Sequence, residues 1–161
     1  LDHFKKINDL YGHPSGDLVL QKIAAVMLKT FRTSDMIVRW GGEEFLIVCR
    51  FMTRADASEM AERLRDAVAR TEFESDRGES MQVTCSIGFA PFPFLPEEPE
   101  AFEWNSILQM ADAALYFVKT NGRNGWAGIQ GICDPMSSPI QFKNRNLHYE
   151  SKIRGALVET E

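Results

Sequence analysis

Two adjacent glutamates, Glu43 and Glu44, directly follow two glycines, Gly41 and Gly42. Carboxylates are hard oxygen donors of the kind that Mg²⁺ takes, and glycines let a backbone come close to a ligand. The same tetrapeptide is also an ordinary solvated hairpin tip, where Gly-Gly suits a tight turn and acidic side chains are simply exposed. Taken alone it favours the ordinary reading, so its company decides.

That company is ordered. Upstream stand Leu1-Asp2-His3-Phe4-Lys5-Lys6-Ile7-Asn8-Asp9, then Tyr11-Gly12-His13 and Gly16-Asp17; downstream stand Ser86-Ile87-Gly88, and Lys119 with Arg123-Asn124. In order and spacing these resemble the DxDxFKxxND, YGHxxGD, RxGGEEF, SIG and KxxGRN stretches of GGDEF diguanylate cyclases, from Leu1 to about Gly128. The resemblance implies an α+β, palm-like fold with a central, mostly antiparallel sheet flanked by helices and its first strand truncated. It also implies condensation of GTP into cyclic di-GMP across a head-to-tail homodimer, with two Mg²⁺ (or Mn²⁺) ions per active site.

Carried over position by position, the resemblance makes Glu43 a metal ligand and the proton acceptor, Glu44 the second carboxylate, and the Leu1 carbonyl a further ligand. The partner aspartate would precede Leu1, so the chain as it stands is expected to be poorly active. Asn8 and Asp17 fall on the guanine-reading positions. The chemistry agrees, since a carboxylate accepts from guanine N1–H and N2–H₂ whereas adenine presents an acceptor at N1. Phe4 and Lys5 belong to the same substrate-side stretch, and Lys119 and Arg123 to the triphosphate contacts. His13 is placed beside the nucleotide. The ordinary alternatives are helix capping for Asn8 and Asp17, a helix-dipole role for Lys119 and Arg123, and a structural hydrogen bond for His13.

Arg32 and Asp35 match the family's RxxD product-inhibition site, with Arg63 a second arginine of that site. An arginine fork suits the Hoogsteen edge of guanine; a local ion pair is the ordinary alternative. At a strand rise of roughly 3.3 Å, the residues Met36 to Trp40 hold this pair about 15 to 20 Å from the acidic turn. It would therefore be a separate, allosteric site.

The elements that must position these groups are legible as patterns. A short helix over Asp2 to Leu10, ended by Gly12, precedes a second carrying Leu20, Ile23, Ala24, Met27 and Phe31. The runs Met36–Trp40 and Phe45–Cys49 read as a hairpin around Gly41–Glu44. Ala57, Met60, Ala61, Leu64 and Val68 fall at helical spacing, Gln82 to Phe89 reads as a strand, and Ile107 to Val118 as a helix stopping at Asn121-Gly122. A last strand at Trp126–Ile129 closes a domain expected to span 1–129. Residues 130–161 are expected to form an extension in which Tyr149, Ile153, Ala156 and Leu157 share a helical face, similar to the linker helix entering an EAL phosphodiesterase domain.

At 161 residues with 44% hydrophobic content, the chain can bury one core, and a net charge of −5 leaves no basic stripe for nucleic acid. Cys49, Cys85 and Cys133 form no CxxC pair, and no apolar run approaches the roughly 20 residues of a membrane span. A soluble domain in a reducing cytosol is expected, with an upstream membrane tether left open. The rival reading is a non-catalytic receptor for GTP or cyclic di-GMP that regulates a neighbouring phosphodiesterase. Retention of both glutamates together with Asn8 and Asp17 argues against it.

Overall fold

The computed structural model describes residues 1–132, 147–153 and 156–160. Phe4–Tyr11 (α1) stops where Gly12 takes φ +84° and donates its N–H to Asn8 O, and His13–Thr30 (α2) follows at once, with Pro14 in its first turn. Met36–Gly41 (β1) and Glu44–Val48 (β2) form the expected hairpin. Arg54–Ala69 (α3) starts with a capping box, in which Thr53 and Asp56 satisfy each other's backbone N–H groups.

Phe73–Glu74 (β3) and Ser80–Met81 (β4) make a minimal hairpin, and Ile87–Phe89 (β5) crosses through Trp104–Thr120 (α4) to Trp126–Ile132 (β6). The β5–β6 pair is parallel, as a helical crossover permits, and among the described residues every other ladder is antiparallel.

Among the described residues two clusters make the core. Val19, Leu20, Ile23 and Met27 of α2 pack with Leu64 and Val68 of α3 and with Phe73 and Val83. Ile107, Met110, Ala114 and Val118 of α4 pack over Ala127 and Ile129 of β6. Helix α4 lies directly on β5 because Gly88 has no side chain: a Cβ there would sit 2.1 Å from Ala111 O and 2.3 Å from Leu115 N.

Between the outer edges of β2 and β5 runs an apolar cavity of about 390 Å³, lined among others by Leu46, Val48, Cys85, Ile87, Ala111 and Leu115.

Two sequence expectations need correction. Of the strand expected over Gln82–Phe89, only Ile87–Phe89 forms a ladder. Val83 and Cys85 are still buried and Gln82 exposed, so the period-two pattern is real. Thr84 bonds instead to Asp2, through both backbone and side chain. The expected C-terminal helix is absent: Leu147–Ile153 (β7) and Ala156–Thr160 (β8) are strands that extend the β6 sheet.

The expected helical face combines residues on both sides of 154–155. Within β7 itself, Leu147, Tyr149 and Ile153 stand at odd positions with His148, Glu150 and Lys152 between them, a period of two. Strand β6 runs through the boundary expected after residue 129. Cys133 lies outside the described residues.

Candidate active site

The acidic turn is built by the β1–β2 register. Pairing runs from Met36↔Val48 to Arg39↔Phe45, then slips by a bulge at Trp40 to Gly41↔Glu44. This leaves Gly42 and Glu43 as the two central residues. Gly42 takes φ +51°, a conformation hairpin turns assign to glycine, and Arg39 Nε donates to Gly42 O at 2.9 Å to pin the loop. Two other elements converge there. The Leu1 backbone nitrogen donates to Glu43 O at 3.0 Å, and Lys119 Nζ, in the last turn of α4, lies 3.5 Å from Glu44 Oε1. Glu43 is partly buried and Glu44 exposed.

Asn8 and Asp17 flank the contact between α1 and α2. A Cβ on Gly16 would fall 1.9 Å from Asn8 Oδ1 and 3.2 Å from the Phe4 ring, so the Asn8 carboxamide lies directly over Gly16. Asp17 is the next residue and exposed. Neither ordinary alternative is what forms. Residue His3 is the N-cap of α1, so Asn8 is no cap, and Asp17 stands beyond the first turn of α2. His13 opens α2, exposed; Lys5 is exposed, whereas Phe4 is buried in the core beneath Gly16.

After α4 the chain takes three consecutive positive φ angles, Gly122 at +119°, Arg123 at +62° and Asn124 at +46°. Arg123 N–H closes the turn on Val118 O at 3.0 Å. Lys119 and the loop bearing Arg123 thus stand at the same end of α4.

At the far end of the β1–β2 hairpin, Asp35 accepts from the backbone N–H groups of Arg32 (2.9 Å) and Arg50 (3.1 Å). Its contact with Arg32 is to the main chain, which leaves the exposed Arg32 guanidinium outside the expected local ion pair. Arg63 Nη2 donates to Thr30 O at 2.7 Å, at the end of α2. Cys49 lies among these groups. Burial, and after it the Asp35 carboxylate, pushes its thiol up to about 11, against the opposing pull of Arg32 and Arg63. Arg32, Asp35 and Arg63 therefore share one neighbourhood, separate from the acidic turn.

Residues 1–125 match the family model described as diguanylate cyclase, GGDEF domain. This chain belongs to the GGDEF family. It is 37% identical over 124 residues to the diguanylate cyclase DosC of Escherichia coli, covering 77% of this chain and 26% of that protein. The chain thus spans about a quarter of that relative's length. Among solved structures, it superposes on the GGDEF domain of DgcB from Caulobacter crescentus in complex with c-di-GMP with a TM-score of 0.66, at 32% identity, covering 76% of this chain and 70% of that one. The active GGEEF domain of a Vibrio cholerae diguanylate cyclase matches with a TM-score of 0.64 at 32% identity, covering 76% and 74% respectively. The α+β GGDEF fold is therefore established for this chain, and the family's general reaction is condensation of GTP to cyclic di-GMP.

Diguanylate cyclases of the GGDEF family are metal-dependent. The turn offers the hard carboxylate oxygens of Glu43 and Glu44 next to Leu1, donors that suit such an ion. Among the described residues no three His, Cys, Asp or Glu side chains converge on one point. Among the described residues no helix is long and apolar enough to cross a membrane. Sequence reasoning passed over two residues of this domain. Gly16 brings Asn8 onto α2, and its signal was its place in the Gly16-Asp17 pair. Asp2, only 4% exposed, accepts from Thr84, Ser86 and Asn124.

Proposed function

We propose that this chain is the catalytic domain of a diguanylate cyclase that joins two GTP molecules into cyclic di-GMP with release of pyrophosphate, under product inhibition at Arg32, Asp35 and Arg63. The observation that carries the reading is the convergence of Leu1, Glu43–Glu44 and Lys119 at one end of the β1–β2 hairpin.

Asn8 and Asp17 read guanine: the Asp17 carboxylate accepts from N1–H and N2–H₂. Lys119 and Arg123 meet the triphosphate, Lys119 close enough to Glu44 to be held facing the turn. Glu43 accepts the proton of a 3′-hydroxyl as that oxygen forms a bond to the α-phosphorus of the second GTP. The bond from that phosphorus to the β-phosphate oxygen breaks, and pyrophosphate departs with the electron pair. A second such step closes the ring. Mg²⁺ or Mn²⁺, held by Glu43, Glu44 and the Leu1 carbonyl, would lower the hydroxyl pKa and neutralise the leaving pyrophosphate. Each domain holds one GTP, so two domains meet head to tail.

The full-length protein should release pyrophosphate from GTP only with Mg²⁺ or Mn²⁺ present, and Glu43→Ala should abolish turnover. Unchanged turnover in Glu43→Ala would remove the assignment of this turn as the catalytic centre.

A further inference from the structure

We propose that Asp2 is a positioning residue: a buried carboxylate that fixes the loop bearing Arg123 relative to Leu1 and the acidic turn. The proposal rests on the cyclase reading above and adds to it the device that aligns the triphosphate contacts.

Asp2 is almost fully buried, and no described cation pairs with it; neutral donors surround it instead. Its Oδ1 accepts from Ser86 Oγ at 2.7 Å, and its Oδ2 from Thr84 Oγ1 at 2.8 Å and from the Asn124 backbone N–H at 3.0 Å. Its own N–H donates to Thr84 O at 2.9 Å. A buried carboxylate left unsatisfied is costly, so all these donors are held in register with one another.

The donors come from two separate parts of the fold: the segment leading into β5, and the loop after α4. Asp2 itself adjoins Leu1, whose backbone nitrogen donates to Glu43 O. One side chain therefore ties the neighbour of the acidic turn to the loop of Arg123.

That loop needs a tie. Arg123 and Asn124 are consecutive non-glycine residues with left-handed φ, a conformation that persists only where surroundings impose it. Asp2 holds the Asn124 N–H, and Arg65 Nη1 donates to Asn124 Oδ1 at 3.0 Å, itself clamped by Glu62. With Asp2 gone the loop can relax towards ordinary φ values, carrying the Arg123 side chain away from the phosphates.

Asp2→Asn separates positioning from simple charge. It nearly preserves volume but presents an amide nitrogen to one set of donors. If Asp2 acted merely as a negative charge near the triphosphate, removing that charge would tighten GTP. If it positions the loop, GTP binding weakens, by roughly tenfold for the loss of a hydrogen-bonded charged acceptor.

The test is calorimetry on the full-length protein with a non-hydrolysable GTP analogue, and with guanosine in competition, which lacks phosphates. Expected are roughly tenfold weaker analogue binding, unchanged guanosine binding, and a raised KM for GTP. Ser86→Ala, which removes one anchor and leaves the loop's own bonds intact, should show the same pattern at roughly threefold and serves if Asp2→Asn fails to fold. Tighter or unchanged analogue binding in the variants, or equal weakening of analogue and guanosine, overturns the proposal. Failure of the wild type to bind the analogue at all would instead overturn the cyclase reading beneath it.

Discussion

A residue's chemistry here depends on which neighbour occupies its polar groups. Asp35 shows this: its two oxygens are taken by the backbone N–H groups of Arg32 and Arg50, and the Arg32 side chain forms no ion pair with it. Asp17, beyond the first turn of α2 and exposed, has no capping duty to explain it. Asp17→Ser should therefore weaken GTP and relax rejection of ATP, because a site built to pair with guanine rejects adenine through unmatched polar groups. Competition binding with both nucleotides checks this, and continued exclusion of ATP would remove Asp17 from the base-reading role.

The two described thiols behave oppositely to activated cysteines. Burial raises Cys85 to about 12 and Cys49 to about 11, both from an ordinary 9.0. At neutral pH both are protonated and should resist alkylation in the native state while reacting on unfolding. As pH rises through 9 the unfolded chain gains thiolate that the folded chain resists, so stability should fall between pH 9 and 12. Peptide-resolved labelling with iodoacetamide and urea titrations across that range read both effects.

At the scale of elements, close approach is made possible by glycines. Helix α1 reaches α2 at Gly16, with Asn8 lying across it, and α4 reaches β5 at Gly88. The two should respond differently to alanine. In Gly16→Ala the obstructing atom is the end of the Asn8 side chain, which can swing away, so the fold should survive while GTP affinity drops. In Gly88→Ala the obstruction is backbone of α4, which cannot move without shifting the helix. That variant should lose about 1 to 3 kcal/mol or more in urea unfolding. A Gly16→Ala chain with normal GTP affinity would show that the Asn8 position is unimportant for the base.

Across the whole molecule, the β1–β2 hairpin is a spacer with different chemistry at each end. Glu43 and Glu44 stand at the turn, and Arg32, Asp35 and Arg63 gather around the opposite end near Cys49. Mutation at one end should therefore spare the other. Arg32→Ala should weaken cyclic di-GMP roughly ten- to hundredfold, the loss of a bidentate arginine contact to guanine, while initial rates at low product stay near normal. Progress curves would run further before slowing. Unchanged inhibition would return Arg32 and Asp35 to the ordinary surface.

What the sequence determined by itself was local or ordered. The helices α1 to α4, the β1–β2 hairpin and the run of motifs from Leu1 to Asn124 were all legible, because periodicity, caps and turn glycines act within a few residues. Tertiary structure decided what depends on distant partners. Gln82–Ser86 carries a strand's pattern without a ladder, because pairing needs a neighbour that no local signal supplies. Tyr149, Ile153, Ala156 and Leu157 share a helical face by spacing, and only pairing along the edge of β6 makes their segment strands. Asp2 looked like one charge in a motif, yet its donors stand 82 to 122 residues away. Hydrogen-bond satisfaction of a buried carboxylate is a property of the assembled fold, and no window of sequence contains it.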